Sequence, residues 1–253
     1  MPDQAATQFD PAAAHQMEKF ISDLGRMYQE RNEALQEVAR AYHEALFRLA
    51  IAAEYKDDDT GVHIVRIGFL AGALARHLGQ SPEYARLLRQ AAPMHDIGKI
   101  GIPDNVLKKP AAFTPDERLI MNRHPSIGAD ILGRSRIALF QMAAEIALTH
   151  HERWDGQGYP NGLAGKDIPL SGRIVSIVDF YDALTMDRVY RQAFSHEKAL
   201  AMMQAESGKA FDPAIVNCFV EHNMEILALR ERVTARHMTF ADLVNSNSEQ
   251  EAS

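Results

Sequence analysis

Eight residues able to hold a cation stand in order along the chain: Asp59, His63, His95, Asp96, His124, His150, His151 and Asp179. Imidazole and carboxylate ligands suit Fe, Mn, Zn or Ni, whereas Mg and Ca prefer all-oxygen sets. The single cysteine, Cys218, excludes thiolate chemistry that needs several Cys: zinc ribbons, iron–sulfur clusters and internal disulfides. In a chain with 11 His, a His-Asp or His-His pair arises by chance, so the setting of each pair decides its meaning. His95 and Asp96 close the apolar segment LLRQAAPMHDIGKIG, where a carboxylate is costly to desolvate unless a cation meets it. His150 and His151 close Met142 to Thr149 and open onto a glycine-rich loop. Adjacent helical residues point about 100° apart, which suits two ions a few Å apart better than one. Lys99, four residues after His95 and three after Asp96, falls on their face in any helical continuation, where an ammonium could hold a phosphate oxygen; a solvated lysine is the bland alternative. In the loop, Gly156 and Gly158 allow sharp turns close to a ligand, and Tyr159 offers a flat ring and a hydroxyl.

Five segments carry a family resemblance: TGVH (60–63), HDIGKIGIPD (95–104), HPSIG (124–128), HHERWDGQGYP (150–160) and DFYDALT (179–185). Together, over about residues 50–230, they resemble an HD-GYP domain, the branch of the HD phosphohydrolase superfamily that degrades the bacterial messenger cyclic di-GMP. The resemblance implies an all-α fold: an HD-type helical bundle, here preceded by a long N-terminal helix. It implies that His63, His95, Asp96, His124, His150, His151 and Asp179 ligate metal, with Asp96 bridging two ions, Fe or Mn. A third ion is associated with Glu four residues before the first His, and here that position is Asp59, one methylene shorter. The implied reaction is hydrolysis of cyclic di-GMP to pGpG, and on to GMP, by a metal-bridging hydroxide, with His95, Asp96 and Lys99 as the catalytic set. Substrate contacts would come from Lys99, Tyr159, Asp182, Arg188 and Arg191. Asp182 would also orient Lys99, and the two arginines lie three apart with forks suited to phosphate and guanine. Two other readings stay open: an HD phosphohydrolase acting on another cyclic dinucleotide or nucleotide, and a non-catalytic cyclic di-GMP sensor.

These residues must be positioned by helices. With 253 residues, 46% of them hydrophobic, the chain can bury a real core. Its net charge of −7 argues against coating polymeric nucleic acid, yet leaves room for one local basic pocket. No run reaches the roughly 18 apolar residues of a membrane span. The N-terminus lacks a basic region followed by an apolar one, so a cytoplasmic location is expected.

Residues 1–14 read as loose. From Met17 through Phe20, Leu24, Met27, Val38 and Tyr42 to Leu49, three- and four-residue steps predict a long helix over 15–50, roughly 50 Å at 1.5 Å per residue. Its stripe either packs on its own domain or serves as a dimerisation or docking arm for a signalling partner. Val62 to Leu78 reads as an amphipathic helix, and Ser81-Pro82-Glu83 and Thr114-Pro115-Asp116-Glu117 read as helix starts. Ile174 to Asp179, apolar enough for a strand, is read as helix for want of a partner strand. The catalytic domain is set at 51–230, and 231–253 reads as a frayed tail. His15, His43, His77, His196, His222 and His237 fall outside the motif order and read as surface or capping residues.

Overall fold

Ser81 and Thr114 begin helices because their side-chain oxygens accept from Tyr84 N and Glu117 N, donors that the first turn leaves without a partner. At Thr114 the return bond from its own N–H to Glu117 completes a capping box. The computed structural model describes residues 11–56, 62–187, 192–236 and 238–244. Among them lie twelve α-helices and no strand: α1 (Pro11–Lys56), α2 (Val62–His77), α3 (Pro82–Ala91), α4 (Asp104–Leu107), α5 (Pro115–Met121), α6 (His124–Leu132), α7 (Ala138–Thr149), α8 (Leu170–Leu184), α9 (His196–Ala205), α10 (Pro213–Glu221), α11 (Asn223–Ala235) and α12 (Phe240–Val244). The fold is all-α, as the sequence predicts, and Ile174 to Asp179 is helical within α8.

The chain divides into two compact units, Met1–Glu44 and Ala45–Ser253. In the first, residues 11–44 are helical, and Met17, Phe20, Leu24 and Met27 are each more than half exposed. The second unit holds the core. Its organising element is α2, and here the structure corrects the amphipathic reading: 13 of its 16 residues are buried. A helix buried nearly all round must be covered on every side, and α3, α8 and α11 pack against it. Leu46, Phe47, Ala50 and Ala53 join the same core, with Ile64, Leu70, Ile146, Ile174, Val178 and Phe219 among its larger members.

Two boundaries move. Helix α1 begins at Pro11 rather than 15 and ends at Lys56 rather than 50. Within the expected tail, α11 continues to Ala235 and α12 follows, with Val233 and Leu243 fully buried. Two isolated apolar side chains suffice to anchor a segment whose hydrophobic periodicity is too sparse to read. Among the described residues no helix is long and apolar enough to cross a membrane.

Candidate metal centre

His95 and Asp96 lie between a short, buried 3-10 turn (Ala92–Met94) and a second one (Ile97–Gly101) whose first two residues are buried. Gly98 makes this possible: a Cβ there would overlap the His124 carbonyl, so only glycine lets the turn press against the start of α6. The approach brings His124, first residue of α6, to Asp96, with Nε2 3.2 Å from Oδ1. From the end of α7, His150 Nε2 reaches the same oxygen at 3.5 Å. Asp96 Oδ2 faces the other way, 3.4 Å from His95 Nε2 and 2.7 Å from Lys99 Nζ. His63, at the start of α2, and Asp179, on α8, complete the cluster, with His63 Nε2 3.4 Å and His95 Nε2 3.8 Å from Asp179 Oδ1.

The ligand-type atoms therefore fall into two groups, Asp96, His124, His150 and His151 in one and His63, His95 and Asp179 in the other. Within each group they lie within 4.8 Å of one another. Asp59, Arg188 and Arg191 lie outside the described residues.

Whether a cation fits can be asked of the atoms themselves. Nε2 of His95, His124 and His150 and Oδ1 of Asp96 are buried without a hydrogen-bond partner, an arrangement that costs free energy unless something binds them. Their other ring nitrogens are engaged: Nδ1 of His95 donates to Ala92 O (3.1 Å), of His124 to Met121 O (2.8 Å) and of His150 to Ala147 O (3.0 Å). That fixes the tautomer with the Nε2 lone pair aimed inward, the preparation a metal-ligating imidazole requires. The residues fit divalent metal.

The electrostatics divide the imidazoles into two sets. Burial, reinforced by the neighbouring imidazoles, holds His151 well below the ordinary histidine range, and burial also lowers His150, so both favour the neutral form that ligates. Burial would raise Asp96, yet Lys99 and His95 outweigh it and keep the carboxyl ionised well below its usual range. Burial would likewise depress His63, but the Asp179 and Asp182 carboxylates win and raise it well above its ordinary value.

The glycine-rich loop closes over His151. Gly158 lies against the Glu152–Arg153 backbone so tightly that a Cβ would overlap it, and Tyr159 N donates to His151 O at 3.2 Å. The Tyr159 ring stacks on the His151 ring at 4.8 Å, and burial raises its phenol above the usual range.

Asp182 is a correction. It is fully buried and bonded to His63, Arg66 and Arg230, so it neither orients Lys99 nor faces a substrate; Lys99 is held by Asp96 instead. Three residues that the sequence did not mark also serve the site. Glu152, 2% exposed, accepts from Asn161 N (2.7 Å) and Leu163 N (3.0 Å) and so shapes the loop. Arg66 anchors Asp182, and the buried Glu54 lies within electrostatic reach of His63, Asp96, Lys99 and His95. A signal for Arg66 was present: it stands three residues after His63 on one helix face. Among the histidines read as ordinary, His196 bonds the Tyr181 hydroxyl at 2.8 Å, and His77 stacks on His222. His237 lies outside the described residues.

An all-helical scaffold that points paired imidazoles and carboxylates into one buried centre defines a metal-binding α-helical class. The HD domain family model matches residues 17–215, and the chain belongs to that family, in its HD-GYP branch. It is 45% identical over 193 residues to the cyclic di-GMP phosphodiesterase response regulator RpfG of Xanthomonas campestris, covering 76% of this chain and 51% of that protein. It is 44% identical over 189 residues to a cyclic di-GMP phosphodiesterase of Thermotoga maritima, covering 75% and 51%. The chain thus spans about half the length of these curated relatives. Among solved structures, V-cGAP3, a cyclic GMP-AMP-specific phosphodiesterase of V. cholerae, shares the fold at TM-score 0.50 and 20% identity, over 83% of this chain and 52% of that one.

Proposed function

We propose that this chain is a metal-dependent phosphodiesterase that hydrolyses cyclic di-GMP to the linear dinucleotide pGpG and onward to GMP. The observation that carries the reading is the convergence of four buried, unpartnered ligand atoms, on His95, Asp96, His124 and His150, at one centre. His63, His95 and Asp179 would hold one ion and His124, His150 and His151 the other, with Asp96 between them; its two oxygens face the two groups. Fe or Mn suits the mixed imidazole and carboxylate set, and a third ion would rest on Asp59. Bound ions would supply an activated water and neutralise charge on a phosphodiester oxygen.

The chain's own groups do the rest. Lys99, its side chain 20% exposed and its Nζ lying at Asp96, holds a non-bridging phosphate oxygen or the leaving oxygen. The Tyr159 ring, braced on His151, offers a flat face to a base, and Arg188 and Arg191 bring forks to phosphate and guanine. The reading puts the chain in the cytoplasm, as a homodimer through α1 that takes its signal from a partner protein. The net charge of −7 argues against coating polymeric nucleic acid.

The test is turnover by protein loaded with Mn or Fe without oxygen, across cyclic di-GMP, cyclic GMP-AMP and linear dinucleotides. Release of pGpG from cyclic di-GMP at the highest kcat/KM supports the reading. Preference for the mixed cyclic dinucleotide would reassign the substrate, and tight binding without hydrolysis under both metals would make the chain a sensor.

A further inference from the structure

The buried node formed by Asp182, Arg66 and Arg230 has no part in the chemistry just described, yet it touches the centre at one point. Asp182 Oδ2 accepts from His63 Nδ1 at 2.7 Å and from Arg66 Nη2 at 2.9 Å. Its Oδ1 accepts from Arg66 Nε at 2.7 Å and from Arg230 Nε at 3.3 Å. Four donors fill the roughly four lone-pair sites of the carboxylate, which leaves nothing for substrate. The bonds to Arg66 form a two-pronged fork, the strongest and most directional of such pairs.

Two helical spacings generate the node. His63 and Arg66 lie three apart on α2, and Asp179 and Asp182 lie three apart on α8, so each helix presents two side chains to the other. Asp179 faces His63 Nε2 and Asp182 faces its Nδ1. His95, His124 and His150 lean their Nδ1 on backbone carbonyls; His63 leans on a carboxylate. A carboxylate behind an imidazole raises its basicity as well as fixing its tautomer.

We propose that Asp182, clamped by Arg66 and Arg230, is a positioning residue for metal binding: it holds His63 with Nε2 free and strengthens it as a ligand, so that occupancy of the His63, His95 and Asp179 group depends on a residue that never meets the ion. Arg230 comes from α11 and also donates to Thr185 O at 2.7 Å, so a helix near the C-terminal end of the chain helps to fix this group. The proposal rests on the reading of His63 as a ligand.

The test is metal binding itself, with Mn or Co titrated into metal-free protein by equilibrium dialysis and elemental analysis. The ion affected is identified by comparing Co(II) absorption spectra with those of His63→Ala and His151→Ala. Wild-type protein is expected to take two ions. Asp182→Asn is expected to weaken one of them by about 10- to 100-fold, to leave the other unchanged, and to give the spectrum of His63→Ala rather than that of His151→Ala. Arg66→Lys, which keeps the charge and loses the fork, and Arg230→Gln are expected to weaken the same ion by a smaller factor. They carry the test if Asp182→Asn does not fold by circular dichroism. Equal weakening of both ions, or of neither, in the folded variants overturns the proposal. Wild-type protein that takes no ion overturns instead the ligand reading beneath it.

Discussion

At the scale of single residues, Asp96 carries the most consequence. Its two oxygens face two groups of imidazoles, and Lys99 pairs with the one nearer His95. Asp96→Ala is therefore expected to lose both ions and to reduce kcat/KM beyond the 10- to 100-fold typical of losing an outer-shell partner; full metal content in that variant would contradict a shared role. His95, Asp96, His150 and His151 stood out because they close apolar segments, where an ionisable side chain is costly without a partner, whereas His63, His124 and Asp179 stood out only through the motif resemblance. Asp182 was misread because its type and position suit a substrate contact, and spacing within one helix cannot show that Arg66 and Arg230 approach from two others. His77 offers a pH test away from the centre. Burial and the stacked His222 ring, 3.9 Å away, lower its pKa, with Glu225 opposing. A base depressed in the folded state contributes stability that is fully present above its unfolded value, about 6.5, and is lost as pH falls through the folded one. Ring shifts in NMR should show His77 titrating below 6.5, and His77→Gln should flatten the fall in denaturation midpoint between pH 7 and 5. Titration at or above 6.5 would remove the effect.

At the scale of elements, the close approach of the Ile97–Gly101 turn to α6 is the joint that assembles one ligand group. Gly98→Ala forces a Cβ into the His124 carbonyl, and overpacking of this kind costs about 1–3 kcal/mol. A melting temperature lower by roughly 2–10 °C is expected, together with weaker binding at the His124 group; unchanged values for both would show that the joint yields freely. The α1 stripe poses a different question. Over 17–42 it reads as heptads: Met17, Leu24, Arg31 and Val38; Phe20, Met27, Ala34 and Ala41; Ile21, Tyr28, Leu35 and Tyr42. The nine larger apolar members are each at least half exposed, and at about 100 Å² apiece they match the roughly 800 Å² per partner of a stable interface. One flank carries Asp23, Glu30, Glu37 and Glu44, partly offset where Arg26 meets Asp23 at 3.0 Å. An antiparallel pair would set these acidic rows against each other, whereas a parallel pair sets each beside the less charged flank of Glu18, Gly25, Asn32 and Ala39. A parallel dimer is expected, with twice the 28.2 kDa chain mass in light scattering. In a Cys218→Ser background, Leu24→Cys and Val38→Cys should each oxidise with themselves. A monomer, or cross-linking only between the two variants when mixed, would reject the parallel pairing.

At the scale of the whole molecule, the all-helical architecture was readable from caps, glycine and proline breaks and the absence of a partner strand. The centrality of α2 was not. Its run from His63 to Ala75 carries Arg66 and His63 among apolar residues, and that mixture looks amphipathic until Asp182 supplies the partner that lets both be buried. The same chemistry makes the metal a folding ligand. Without an ion, the second unit buries Asp96, His95, His124 and His150 with unpartnered atoms at a single point, a cost that the unfolded chain does not bear. Ions that bind only the assembled groups then stabilise the native state by mass action, about 2.7 kcal/mol at a free concentration one hundred times the dissociation constant. For a unit of this size that corresponds to a rise in melting temperature of roughly 5–10 °C. The rise should shrink as pH falls, because the carboxylates raise His63 and His95 above their ordinary values, so protons compete for the lone pairs an ion needs. Calorimetry of metal-free protein with and without Mn, at pH 8 and pH 6, followed by reversal with a chelator, measures both effects. Equal melting temperatures with and without Mn at each pH would mean that no ion joins the buried groups, and the cost of burying them would then have to be met by direct contacts among the side chains.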